Sequence, residues 1–204
     1  MNALEHFCCS TSLWRHITHN RLLPWVISGA GLGDHVLELG AGYGAATGQL
    51  LKLASQVTSL EYDQRALARL KARNPDQRIT AIRGDASALP FADQSFSSAI
   101  AILMLHHLKS SELQDRALAE AYRVLRPGGS FFVFEINDSW MNRLTHVRSV
   151  FTPLIPSTSF ARLTAAGFAR VTVDFRTSGF RIRARKAASE PAKPDLPAAR
   201  SATA

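Results

Sequence analysis

An apolar run that reaches a carboxylate and then meets three alternating glycines limits what this chain can fold into. The stretch "VLELGAGYGAAT" covers residues 36–47, with Glu38 inside it and glycines at 40, 42 and 44. His35 to Leu39 reads as a strand buried on both faces. Glycine carries no Cβ and tolerates positive φ, so the turn after this strand lets another molecule come close to the backbone. Strand, bare turn and helix in that order form the opening unit of a parallel α/β sheet.

The rest of the chain continues the pattern. A helical stretch at 11–28, interrupted at Pro24, precedes the first strand, and a turn at 29–34 leads into it. A helix is expected over 45–54, a second strand over 56–60, and a second helix over 64–73 that Asn74-Pro75 ends. Strands are expected over 78–83 and 98–103, with a loop between them at 84–94. A helix over 111–125 stops at "RPGG", and a fifth strand follows over 130–135. A helix over 159–166 closes at Gly167. Segments 171–175 and 180–186 are close enough in sequence to form an antiparallel hairpin. Alternating strands and helices over 35–135 predict a doubly wound, Rossmann-like α/β sheet with helices on both faces.

Composition limits the class further. The chain has 204 residues and 46% hydrophobic residues, with a mean hydropathy of -0.03, as in a soluble single domain. The longest aliphatic run, 99–105, is far below the roughly 20 residues of a membrane span. No secretory signal is read at the N-terminus, and a cytoplasmic location is expected. The two cysteines, Cys8 and Cys9, are adjacent, so neither a disulfide framework nor a cysteine-based metal set is expected. The net charge is +8, and about half of it lies beyond residue 180. No aromatic residues are interleaved with the charges of the tail, which favours a solvated end over a nucleic-acid contact. Three parts follow: an N-terminal helical lid over 1–34, the α/β domain over 35–186, and a disordered basic tail over 187–204.

The glycine turn fits two kinds of ligand. Gly40, Gly42 and Ala45 satisfy a loosened dinucleotide fingerprint. Glu38, two residues ahead of Gly40, is unfavourable for a pyrophosphate and favourable for a cation such as the sulfonium and ammonium of S-adenosylmethionine. Glu61 ends the second strand, where a carboxylate can accept hydrogen bonds from both ribose hydroxyls. Asp85, after the third strand, can accept from an adenine amino group, and Ala86 leaves room for the ring.

Together these segments resemble the class I S-adenosylmethionine-dependent methyltransferases, particularly those acting on small molecules. The resemblance covers 35–186 and rests on "VLELGAGYG", "SLEYD", "GDASALPFADQSF", "LMLHHL" and "RVLRPGGSFFVFE" in order. It implies a seven-stranded sheet of order 3-2-1-4-5-7-6 with strand 7 antiparallel. It also implies a cofactor site formed by Glu38, Gly40, Ala41, Gly42, Tyr43, Gly44, Glu61, Tyr62, Asp85, Ala86 and Leu103. S-adenosylmethionine would be the methyl donor and S-adenosylhomocysteine the product.

Methyl transfer from a sulfonium is an in-line displacement that depends mainly on alignment. A general base is needed only for a protonated acceptor, and His106 and His107 follow the fourth strand where that acceptor would approach. Acceptor choice would rest on Trp14, His16, His19 and Trp25, and on Trp140, Met141, His146, Phe151 and Leu154. A small-molecule acceptor is expected, with the chain a monomer or homodimer and no metal. An RNA methyltransferase is the first alternative, although "LMLHHL" lacks the Asn/Asp-Pro-Pro-aromatic motif for base amino groups. A non-catalytic cofactor-binding module is the second.

Overall fold

The computed structural model describes residues 2–188. A seven-stranded sheet forms its centre, in the order β3-β2-β1-β4-β5-β7-β6. The first five strands are β1 (His35–Leu39), β2 (Gln56–Glu61), β3 (Ile79–Arg83), β4 (Phe96–Ile102) and β5 (Leu125–Glu135). They pair in parallel, with Val36 beside both Val57 and Ser98 and Ala99 beside Phe131. β6 (Ala169–Arg176) and β7 (Gly179–Arg185) form the expected hairpin, and β7 runs antiparallel to β5.

Period-2 alternation divides the strands between two cores. Leu37, Leu39, Ala99, Ala101, Phe131 and Val133 face one way, onto α6 (Ser111–Val124) and α8 (Pro156–Ala165) through Ala117, Leu118, Ala121 and Leu163. Val36, Ile100, Phe132 and Phe134 face the other way, onto α3 (Leu23–Ile27) and α4 (Thr47–Leu50) through Leu23, Val26 and Leu50. Each fully buried large side chain contributes about 1.5–3 kcal/mol, and the polar groups buried on these strands, among them Glu38, Ser59 and Ser98, are hydrogen-bonded.

Helix α5 (Gln64–Arg73) falls where its sequence places it, capped by the Asp63 carboxylate on the Arg65 and Ala66 amides. Elsewhere the expectations need correction. The first crossover helix, expected to reach residue 54, closes after one turn at Leu50, where the Lys52 and Leu53 amides turn to the carbonyls three residues back, of Gln49 and Leu50. The N-terminal stretch forms α1 (Ala3–Ser10) and α2 (Ser12–Ile17), then a wider π-helical turn at Thr18–Leu22, before α3 starts with Pro24 in its first turn. Helix α6 ends at Val124 and Leu125 is already extended, so β5 begins ahead of "RPGG". The long connection after β5 contains α7 (Trp140–Thr145). No helix among the described residues is long and apolar enough to cross a membrane. Most of the expected tail, from residue 189 on, lies outside the described residues.

Candidate functional site

The carboxyl ends of the parallel strands bring the candidate side chains together. Gly40 and Gly42 both hold positive φ, at 65° and 54°, the region in which glycine alone is comfortable. A Cβ on Gly40 would meet Met104 Cβ at 2.5 Å, whereas one on Gly42 would meet nothing within 4 Å. Gly40 therefore fits the loop against the end of β4, and Gly42 keeps its outer side bare.

Two buried carboxylates flank this loop. Glu61 Oε2 accepts from the Gly42 amide at 2.7 Å and Oε1 from the Asp63 amide at 2.8 Å. Each oxygen keeps a further lone pair for a ligand hydroxyl. Burial pushes the Glu61 carboxyl up, against the pull of these amides. Glu38 lies deeper, and its Oε2 accepts from the Thr47 and Ser59 hydroxyls at 2.6 and 2.7 Å. Burial pushes its carboxyl up to about 7, so a nearby cation would find it easily converted to the charged form.

Tyr43 is buried under α1. Its hydroxyl is 2.8 Å from His6 Nδ1, and the Arg69 and Arg73 guanidiniums lie over its ring at 5.4 and 6.0 Å. The ring thus docks the N-terminal helix onto the glycine loop. Tyr62, by contrast, is exposed. Asp85 closes an Asx turn, with Oδ1 accepting from the amide and hydroxyl of Ser87, beside buried Ala86. Leu103 holds φ at 54° as the chain leaves β4, a strained conformation for a leucine, and its amide donates to Phe134 at 2.8 Å.

The other half of the rim contains groups that sequence reasoning did not connect. His106 is buried, and its Nδ1 lies 2.5 Å from Oε2 of fully buried Glu135. Oε1 of Glu135 accepts from the Met104 and Leu105 amides. His107, His146 and Phe151 pack around the His106 ring, at centroid distances of 4.2, 5.1 and 5.5 Å. Burial and the two neighbouring imidazoles push His107 down to about 3. Helix α1 reaches this side as well. The Asn2 side chain donates to the Thr145 and Val147 carbonyls, and the Ser149 hydroxyl donates to Glu5.

Glu135 was readable only as the polar end of an apolar strand, and Thr47 and Ser59 as ordinary polar residues. Of the expected lid residues, His146 and Phe151 join the histidine cluster, while Leu154 belongs to the core. Trp25 packs under Arg176 and Arg181 and against Phe134. Trp14 packs on the second core, and His16 is paired with Asn20. His19 lies on the π-helical turn, where the Ala45 backbone bonds its ring. Trp140 and Met141 are exposed on α7. An open groove of about 460 Å³ lies at the opposite end of the strands, lined by 29–33 and 126–130. Ligands of parallel sheets bind at the carboxyl ends, away from that groove.

The donor set fits an adenosyl cation. It offers a bare loop at Gly42, two carboxylates and a polar pair on the adjoining turn. Among the described residues, Thr18 Oγ1 and His19 Nε2 are buried without a hydrogen-bond partner.

Comparison with known proteins identifies the domain and the fold. A family model described as a methyltransferase domain matches residues 37–133. A probable S-adenosylmethionine-dependent methyltransferase of Mycolicibacterium smegmatis is 33% identical over 150 residues, covering 74% of this chain and 53% of that protein. The demethylmenaquinone methyltransferase of Beutenbergia cavernae is 35% identical over 125 residues, covering 61% and 48%. The chain thus spans about half the length of these relatives. Among solved structures, a chain from the complex of the Haloferax volcanii Trm112 methyltransferase activator with a methyltransferase superposes with a TM-score of 0.73 at 17% identity, covering 92% of this chain and 99% of its own.

Proposed function

The chain belongs to the class I S-adenosylmethionine-dependent methyltransferases, and from that premise we propose that it methylates a small apolar acceptor. The observation that supports this is the division of one rim between two chemistries. Glu38, Glu61 and the Gly40–Gly44 loop occupy one half. An apolar cover occupies the other, where α7 and its exit expose Trp140, Met141, Leu144 and Val147. An exposed apolar patch of this kind marks an interaction surface.

In this reading Glu61 holds the ribose hydroxyls, and Asp85 and Ala86 hold the adenine. The Gly42 backbone and Glu38 face the cationic methionine end, with Thr18 and His19 supplying the partners buried beside it. The cofactor supplies a methyl group on a positively charged sulfur. The protein aligns the acceptor in line with that bond and excludes water, and α1, tied to Tyr43 and to the 145–149 segment, closes the recess. Alignment carries the step, and the His106 cluster forms the acceptor's wall. The demethylmenaquinone methyltransferase relative favours an apolar ring as acceptor.

A transfer-RNA acceptor is the second reading. It is favoured by the net charge of +8 and by a probable tRNA methyltransferase 9B of Mus musculus, 35% identical over 121 residues. Incubating the full chain with methyl-labelled donor, a lipid-and-metabolite extract and, separately, bulk tRNA tests both. Label in the organic-soluble fraction is expected. Label confined to RNA, or donor binding with no transfer to either pool, overturns the small-acceptor reading.

A further inference from the structure

His106, His107 and His146 come together from two separate segments, the turn after β4 and the end of α7. One ring nitrogen from each lies within 4.8 Å of the other two. Three imidazoles packed together turn ring nitrogens towards one space, so the arrangement asks for a shared partner.

The outer hydrogen bonds show what kind of partner. His106 Nδ1 is taken by Glu135 Oε2 at 2.5 Å and His146 Nδ1 by the Asn142 carbonyl at 2.6 Å. His107 Nδ1 faces the Val150 carbonyl at 3.4 Å. In each ring the nitrogen that donates outward is fixed, which leaves the Nε2 lone pair as the one available to a ligand. Oxygen acceptors that fix the tautomer and aim the second nitrogen are the usual outer partners of a metal-bound histidine. A carboxylate is also at hand, with Glu5 Oε1 3.7 Å from His146 Nε2.

We propose that His106, His107 and His146 bind a first-row divalent transition-metal ion, zinc foremost, with Glu5 of α1 as the fourth donor. Nitrogen and oxygen donors of this softness in a four-coordinate set suit zinc. The three nitrogens lie no more than 4.8 Å apart, and an inward shift of at most about 0.8 Å each brings them to a tetrahedral set with bonds of roughly 2.0–2.1 Å. The ion would pin α1 and the 146–151 segment onto the end of β4, fixing the cover of the acceptor recess. An ion on these nitrogens uses the lone pair that a histidine base would need, so the cluster would serve as a clamp and a wall.

The inference rests on the geometry of the cluster and stands whether or not the acceptor is apolar. The test is to strip the full chain with a chelator and titrate it with zinc chloride alone, and separately with cobalt chloride. The expected result is one equivalent bound, a higher thermal midpoint, and the intense visible bands of four-coordinate cobalt. His146→Ala and, independently, half-buried His107→Gln should abolish stoichiometric binding. Glu135→Gln should weaken it by about 10- to 100-fold. His16→Ala, on the exposed face of α2, should leave it intact. Binding of S-adenosylmethionine, measured in parallel, reports that each variant is folded. Absence of stoichiometric binding in the wild-type chain, six-coordinate cobalt spectra, or binding unchanged in folded His146→Ala and His107→Gln would overturn the proposal.

Discussion

The backbone amide of Gly42 donates to Oε2 of Glu61 at 2.7 Å, so the glycine loop and the end of the neighbouring strand share one buried carboxylate. Replacing Glu61 with Ala leaves that amide, and the ribose hydroxyls proposed to meet the same carboxylate, without their acceptor. S-adenosylmethionine affinity should fall by about 1–3 kcal/mol, the usual cost of an orphaned polar partner. Calorimetry checks this, and unchanged affinity would remove Glu61 from the cofactor site.

The two glycines make opposite predictions. Alanine at Gly40 drives a methyl group to 2.5 Å from Met104 Cβ while holding φ near 65°. Backbone strain costs about 1–2 kcal/mol at either position, and at Gly40 the overlap with Met104 adds about 1–3 kcal/mol more, read as a lowered denaturant midpoint. Alanine at Gly42 meets open space. Its stability should drop by only about 1–2 kcal/mol, while cofactor binding suffers the larger loss because the methyl group occupies the bare side of the loop. Equal effects on stability and binding at both positions would contradict this division.

Most of the sheet could be read from the sequence because its signals are local. Strands β1 and β2 are short apolar runs between polar turns, and α5 lies between an Asp cap and Asn-Pro, so the neighbouring residues decide their ends. The order of the strands came through the resemblance rather than through any local pattern. The histidine cluster was not readable as a unit. His106 and His146 are forty residues apart, and only the folding of the α7 segment over the end of β4 makes them neighbours. Glu135 gave no sign of its three hydrogen bonds, because those partners come from the turn after a different strand. The helix expected over 45–54 is regular only over Thr47–Leu50, because the residues after it take up tighter turns that no apolar spacing announces.

The exposed face of α7 gives a prediction that separates acceptor from cofactor. Trp140 is 74% exposed, so Trp140→Ala should change stability by less than about 0.5 kcal/mol and leave S-adenosylmethionine affinity unaltered. The KM for an apolar acceptor should rise with kcat largely kept, as expected when binding common to ground and transition states is removed. Unaltered KM would place the acceptor entrance elsewhere.

Glu38 makes both stability and cofactor binding depend on pH. Burial raises its carboxyl from an ordinary 4.5 to about 7. Between those values the folded chain keeps a proton that the unfolded chain has released, so the unfolded state binds fewer protons and stability falls as pH rises. The stabilisation is fully present below about pH 4.5, declines through the window up to about 7, and is then lost, a change on the order of 3 kcal/mol. A cation beside the ionised carboxylate has the reverse preference. S-adenosylmethionine affinity should therefore increase by about tenfold from pH 6 to pH 8 as the ionised fraction grows, with a proton released on binding in that range. Glu38→Gln should flatten both profiles, since a neutral amide keeps the Thr47 and Ser59 contacts but does not titrate. Urea titrations and calorimetry across pH 5–8 measure the two effects, and a variant with the wild-type slopes would show that another group is responsible.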